Sequence, residues 1–415
     1  MKKIQILLLS IIFPLFPSMS QELSVADTIR KDAVKIFIDC NHCDMDYIRD
    51  EIPYVNYVRD VREAQVYILE TSEQTGSGGE AYTYTFTGQF EYMGLNDTLV
   101  YHSRPDDTSD LIREGRTQIL RMGLMRYVAR TPLFRMVDIQ TDLEYEEREV
   151  TDQWNYWVFE LDFDPNFEIE ESRKETRWET SFSVTRITPK WKMEFDFEHN
   201  ILKTKYKYDD STYTRFRRSV RQENIIVKSL TEHWSAGLFF DYVSSTYSNM
   251  DASFDIGPAI EYNIFPYSES TRRELRLSYG VGYSYNKYID TTIYNKTKEH
   301  LMMEALSVTY RVQQRWGSVD LSLEASNYLH DFSKNRIELD TRFNIRLFKG
   351  LSFSVYGTVA RIHDQIALSK VDMDEADILL QLQEQATSYN FDGGIGFTYT
   401  FGSIYNNVVN PRFGN

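Results

Sequence analysis

Residues 316–348 read WGSVDLSLEASNYLHDF, then SKNR, then IELDTRFNIRLF. Val319, Leu321, Leu323 and Ala325 alternate with Asp320, Ser322, Glu324 and Ser326. Beyond SKNR, Leu339, Phe343, Ile345 and Leu347 alternate with Glu338, Asp340, Arg342 and Arg346. A period of two puts successive side chains on opposite faces of a strand, so each of these strands has one apolar and one charged face. A single soluble hairpin can look the same. Repetition decides, because similar segments recur from about Gln153 to Phe401 with no helical pattern between them. That repetition predicts an up-and-down barrel with apolar residues outward and polar residues toward a lumen.

Composition agrees without choosing. Mean hydropathy is -0.47, and after the first twenty residues no run reaches the roughly 18 apolar residues of a membrane helix. A β-barrel escapes that test because only every second residue meets lipid. The 29 Tyr and 25 Phe suit strands and interfacial girdles. A water-soluble sandwich is also aromatic-rich, and stays a competing reading. The net charge of -16 argues against a nucleic-acid partner, which requires a basic patch.

The chain begins with Lys2 and Lys3, an apolar stretch from Ile4 to Phe16, and small residues at Ser18 and Ser20. This is the pattern of a secretory signal over residues 1–20, with Gln21 opening the mature chain. Residues 22–131 read as a small α/β domain. Expected strands are Val34–Asp39, Tyr54–Asp60, Gln65–Thr71, Tyr82–Tyr92 and Thr98–Ser103. A short helix is expected over Asp44–Glu51. A long one over Ser109–Arg130 presents Ile112, Ile119, Leu120, Leu124, Tyr127 and Val128 on one side, with Ser109 and Asp110 at its start. Gly76-Ser77-Gly78-Gly79 is a turn; it lacks the Lys-Ser/Thr of a phosphate loop. This order of strands ending in a long helix resembles the small periplasmic domains of the TolB-N-terminal or CsgG type. Residues 132–151 form an acidic linker.

Twelve strands are expected over 152–402, near 153–163, 175–187, 190–207, 214–229, 233–246, 252–265, 272–289, 299–313, 316–330, 336–348, 351–368 and 387–402. Their lengths exceed the usual 3–10 residues of globular strands. Tight turns alternate with longer connections, apart from the medium-length 265–271. Barrels of this class keep tight turns on the periplasmic side. An even strand count then leaves the small domain and the 403–415 tail together in the periplasm. The last strand, Tyr389–Phe401, resembles the closing strand of bacterial outer-membrane proteins, and the whole chain resembles uncharacterised outer-membrane barrels of Bacteroidetes-like bacteria. The expected fold class is therefore α+β, a small N-terminal α/β domain followed by a 12-stranded antiparallel transmembrane β-barrel.

Taking polar alternates as inward gives acidic lumen candidates Glu194, Asp196, Glu198, Asp320, Glu324, Glu338 and Asp340, with Glu160, Asp162, Glu179, Asp255, Glu261 and Asp392 beside them. The basic candidates are Lys192, Arg276, Arg342 and Arg346. If the lumen is open, this excess favours cations. If it is closed, the charges must pair, because buried unpaired charge is costly. Twelve strands lie between filled eight-strand barrels and open sixteen-strand porins, so both states stay open. The simplest role for Glu194, Asp196 and Glu198 is a wall salt-bridged to Arg342 or Arg346.

No stretch announces catalysis. His233-Trp234-Ser235 resembles the His-x-Ser pair of twelve-stranded outer-membrane phospholipases. There the pair faces lipid, whereas here Trp234, Ala236, Leu238 and Phe240 take that face. Cys40-Asn41-His42-Cys43 lies between a strand and a helix, and is expected to form a local disulfide. A redox role is disfavoured by Asp39, Asp44 and Asp46, since negative neighbours oppose a thiolate. Two Cys and one His leave a zinc site short of a ligand. Asp372–Asp377 lacks the Gly and Glu of a calcium loop and reads as the acidic start of a short helix.

The reading is an outer-membrane, non-enzymatic protein with no metal or cofactor. It is a porin-like or transport-associated channel with a periplasmic partner-binding domain, or a closed barrel that anchors that domain. Its expected partners are outer-membrane lipid and a periplasmic protein or cell-wall component.

Overall fold

The computed structural model describes residues 32–40, 42–76, 78–136, 152–208, 211–371 and 384–402. The signal segment, most of the linker, the Asp372–Asp377 motif and the tail lie outside the described residues.

The first part is a five-stranded sheet with helices. Its strands are β1 (Lys35–Asp39), β2 (Asn56–Tyr57), β3 (Val66–Gln74), β4 (Glu80–Gly88) and β5 (Asp97–His102). The spatial order is β2-β1-β3-β4-β5; β1 runs parallel to β2 and β3, and the rest are antiparallel. Helix α1 (Met45–Glu51) starts at Asp44, whose side chain accepts from the Tyr47 N–H. That backbone bond holds the Asp44 carboxyl below its ordinary range. Helix α2 (Ser109–Val128) is capped by Thr108, one residue earlier than expected. Its buried face is Thr117, Leu120, Gly123, Leu124, Tyr127 and Val128, with Ile119 only partly buried. These pack on Ile36, Val66, Ile68, Tyr84 and Phe86 from the sheet. Leu133, just beyond the expected end of this domain, joins the same core.

The second part is twelve antiparallel strands: β6 (Trp157–Ile169), β7 (Arg173–Ile187), β8 (Trp191–Tyr208), β9 (Ser211–Ser229), β10 (Trp234–Ser245), β11 (Met250–Asn263), β12 (Arg273–Tyr288), β13 (Lys298–Gln314), β14 (Gly317–Tyr328), β15 (Asp331–Phe348), β16 (Leu351–Ile362) and β17 (Tyr389–Tyr399). Each pairs only with its neighbours in sequence. No ladder joins the edges, β6 and β17, among the described residues. Among those residues, too, no helix is long and apolar enough to cross a membrane.

Three boundaries moved, each for a local reason. SKNR is not a break: β15 begins at Asp331, and the turn is Leu329-His330, beside a register shift at Asn327/Tyr328. β6 runs on past Phe163 to Ile169 because Phe167 and Ile169 continue the alternation. Pro165 is tolerated there because an edge strand has one side without ladder partners. β16 stops at Ile362, and residues 363–370 leave the sheet.

Register separates two faces. Facing residues share a side. One side carries Phe182 opposite Phe197, Leu238 opposite Ile226, Tyr279 opposite Leu306, Leu323 opposite Leu339 and Phe353 opposite Phe397. Most of this side is exposed, Leu161 at 73% and Ile395 at 71%. A globular core would bury such residues, and a contiguous exposed apolar surface of this extent marks contact with lipid or protein.

Candidate functional site

The polar side of the sheet is where the charges gather. Its register brings together residues far apart in sequence. Asp196 on β8 faces Glu223 on β9; Glu223 faces Asp241 on β10; Asp241 faces Asp255 on β11. Four carboxylates thus stand in one row across four strands. Facing like charges oppose strand pairing. The compensation within reach is small: Arg221 contacts Glu223 at 3.1 Å, and Asp255 accepts from Ser253. Lys192 pairs with Glu194 at 3.0 Å, one pair along β8. Asp162, Glu179 and Glu198 line a cavity of about 440 Å³ at the β6–β8 side.

On the opposite half of the face arginines bridge several of the acids. Arg276 reaches Glu274 at 3.0 Å and Glu261 at 3.6 Å, and Arg311 reaches Asp320 at 2.8 Å and Glu274 at 3.6 Å. Arg336 holds Asp364 at 3.0 Å and Glu338 at 3.6 Å. Glu324 faces Glu338, and Asp340 accepts from Thr358. Arg342 lies opposite Asp320 in register and lines a cavity with Asp340 and Asp392.

One expectation is corrected. The Glu194–Asp196–Glu198 ladder is not bridged to Arg342 or Arg346: Glu194 takes Lys192, and Arg346 turns to the small domain. His233 and Ser235 do not meet. The His233 ring nitrogen Nδ1 bonds the Asn263 carbonyl at 2.8 Å, while Ser235 shares Tyr267 and Glu261. Sequence reading passed over Arg221, Arg311 and Arg336 as polar-side cations, although their parity along the strands carries that signal. The row of four acids had none, because it exists only once the register is known.

Other segments contact the polar side's strands at both ends. At the tight-turn end, the Arg346 guanidinium binds both oxygens of Asp39, the last residue of β1, at 2.7 and 2.9 Å. It also lies over the Phe37 ring, 5.2 Å from its centre. Tyr67 donates to Asp39 at 2.7 Å. Burial, and then the Asp39 charge, raise the Tyr67 hydroxyl above its usual range. Arg62 donates to the Leu347 carbonyl at 2.9 Å, Lys349 pairs with Glu63, and the Gly350 N–H donates to Asp60 at 2.9 Å. Gly350 has φ +73, and a Cβ there would meet the Thr400 carbonyl at 2.1 Å, so this turn requires glycine. Between domain and sheet lie cavities of about 550 and 610 Å³, both touched by His42.

At the other end, residues 363–370 cross from β16 to the β10–β11 and β12–β13 connections. The Ile293 N–H donates to the Leu368 carbonyl at 2.9 Å, Lys370 N–H to Thr291, and Asn249 Nδ2 to the Ala367 carbonyl at 2.8 Å. Ile366 and Leu368 are buried along this strap.

Cys40 and Cys43 are joined in a disulfide. The charged groups facing it are not the nearby aspartates but Arg116 of α2, whose Nη2 lies 3.1 Å from the Cys43 sulfur, and Glu70 of β3, whose Oε2 lies 3.6 Å from it. Arg116 also binds Glu70 at 2.6 Å, Tyr84 at 3.3 Å and the His42 carbonyl at 3.4 Å. Burial alone works against its charge, yet the bonds to Glu70 and Tyr84 hold its pKa above the ordinary value. Among the described residues no cluster of His, Cys, Asp and Glu has the arrangement of a metal site.

Residues 172–374, just under half of the chain, match the family described as "Protein of unknown function, DUF481". No curated protein matches the chain. One solved structure, titled "NanC porin structure in rhombohedral crystal form", aligns with 12% identity and a TM-score of 0.25, covering 55% of this chain and 98% of that one. So low a score carries no weight for the fold, which rests on the ladders described above.

Proposed function

We propose that the chain is a non-enzymatic outer-membrane β-barrel protein with a cation-preferring passage. The Asp196–Glu223–Asp241–Asp255 row lines that passage, and the small domain sits over its periplasmic mouth. The carrying observation is that most of the twelve strands divide between a largely apolar, exposed face and a face that holds the charges. In water that surface would be a liability. In a bilayer it is the required solvent contact, and closing β6 onto β17 removes the two unpaired edges. Paired-charge networks on either side of an acid row suit a wall that holds its shape while concentrating cations. The small domain then acts as a docking module of the TolB-N-terminal or CsgG kind, for a periplasmic protein or cell-wall component.

A second reading has its own support. The domain at one end and the 363–370 strap at the other suit a closed barrel that serves as an anchor. Planar-bilayer recording of the refolded protein in a salt gradient separates the two. Steady steps with a cation-selective reversal potential support the passage. Silence from protein that shifts in gel mobility on heating supports the anchor. Solubility without detergent and identical heated and unheated mobility would remove the membrane reading itself.

A further inference from the structure

One of the contacts by which the small domain holds the sheet sits directly beside the disulfide. Asp39 binds Arg346 with both oxygens, and Cys40 follows it directly. At the other end of the bridge, Cys43 packs against the domain core and precedes Asp44, the cap of α1. The bridge therefore ties the end of β1 to a fixed point. Arg116 supplies the chemistry: it sits 3.1 Å from the Cys43 sulfur and is itself held by Glu70, Tyr84 and the His42 carbonyl. Its positive charge is the nearer of the two at the place where a Cys43 thiolate would form, with the Glu70 carboxylate 3.6 Å from the same sulfur.

We propose that Cys40–Cys43 is an exchangeable disulfide that governs the latch between the small domain and the sheet. An external dithiol attacks the Cys40 sulfur as its thiolate. The S–S bond breaks, and the electron pair leaves on Cys43 beside Arg116. The donor's second thiolate then displaces Cys40 from the mixed disulfide. The donor departs as a disulfide, and two thiols remain once Cys40 and Cys43 each take a proton. Freed of the bridge, the Asp39 segment loses its alignment with Arg346 and the domain leaves the mouth. The consequence for conduction rests on the channel reading; the motion does not.

The probe is Ser318→Cys in full-length, detergent-purified protein. Ser318 lines the cavity beneath Asp39 and His42, and the chain's own cysteines are bridged. Maleimide labelling of that position, followed by peptide mass analysis, reads whether the domain covers it. We expect labelling about tenfold faster after dithiol treatment, in a C40S/C43S background, and in R346Q, in line with usual coupling strengths. E70Q strips the negative neighbour from Arg116 and should lower the pH midpoint of Cys43 alkylation in reduced protein; E70Q/R116Q should raise it. Equal labelling of oxidised and reduced protein, with R346Q faster, overturns control by the bridge. R346Q at the parental rate overturns the latch. The same Cys43 midpoint in E70Q and in E70Q/R116Q overturns the role of Arg116. Faster labelling with no conductance in any state leaves the switch standing and removes the channel.

Discussion

Neutralising the acid row should change selectivity and stability in opposite senses. The variant is D196N/E223Q/D241N/D255N, which keeps side-chain shape and removes four charges. A carboxylate roughly 7 Å from a monovalent cation in water is worth about 0.6 kcal/mol. Four give about 2.4 kcal/mol, and physiological salt leaves about 1. An anion is repelled by as much, so the difference between the two is about 2 kcal/mol, or roughly thirtyfold in permeability ratio. The same row contains three facing like-charge pairs, Asp196/Glu223, Glu223/Asp241 and Asp241/Asp255. Relieving them should stabilise the sheet by roughly 1–2 kcal/mol in total. Bilayer reversal potentials give the first quantity and urea unfolding in detergent gives the second. Unchanged selectivity in a conducting variant would refute the assignment of these residues to the passage. A loss of stability would refute the view that they repel one another across the sheet.

Other consequences follow from single contacts. Leu323→Arg on the apolar face should cost roughly 2–4 kcal/mol in a bilayer, whereas Ser322→Arg on the polar face should be tolerated; equal costs in lipid-vesicle unfolding would contradict the face assignment. A Cβ on Gly123 would meet the Phe86 ring at 2.1 Å, so Gly123→Ala should destabilise the small domain by about 1–3 kcal/mol despite better helix propensity, as read from its thermal unfolding. Burial raises the Tyr57, Tyr67 and Tyr84 hydroxyls, and holds Tyr54 up at about 12. These groups are neutral in both states below the ordinary tyrosine range, so their contribution is complete there and is lost as pH climbs toward the folded values. The small domain should therefore unfold in alkali together with a rise in phenolate absorbance, and phenolate appearing well before unfolding would contradict their burial.

The twelve-strand plan was legible because alternation is a local property, visible in Val319–Ala325 as in Phe391–Phe401. Boundaries failed where local punctuation misled. SKNR reads as a polar break yet extends β15, and the first strand, expected to end at 163, runs on to Ile169. Partners were the least legible. Asp39 and Arg346 are 307 residues apart, and Arg116 and Cys43 are 73 apart. Charge alternation says that Arg346 points to the polar side, but only the docked domain says what it meets there. The aspartates around the CxxC are near in sequence, whereas the arginine that touches it comes from α2.

The span between Asp39 and Arg346 also orders events in time. During synthesis the five-stranded domain has its own core and can be complete while the sheet is still unmade. Its anchoring arginine lies at the end of β15, so docking has to wait for nearly the whole ribbon. The bond is then a receipt: a domain seated on Arg346, Leu347 and Gly350 certifies that the hairpins before it have been built. A chain stalled or cut before residue 346 lacks the arginine that receives Asp39.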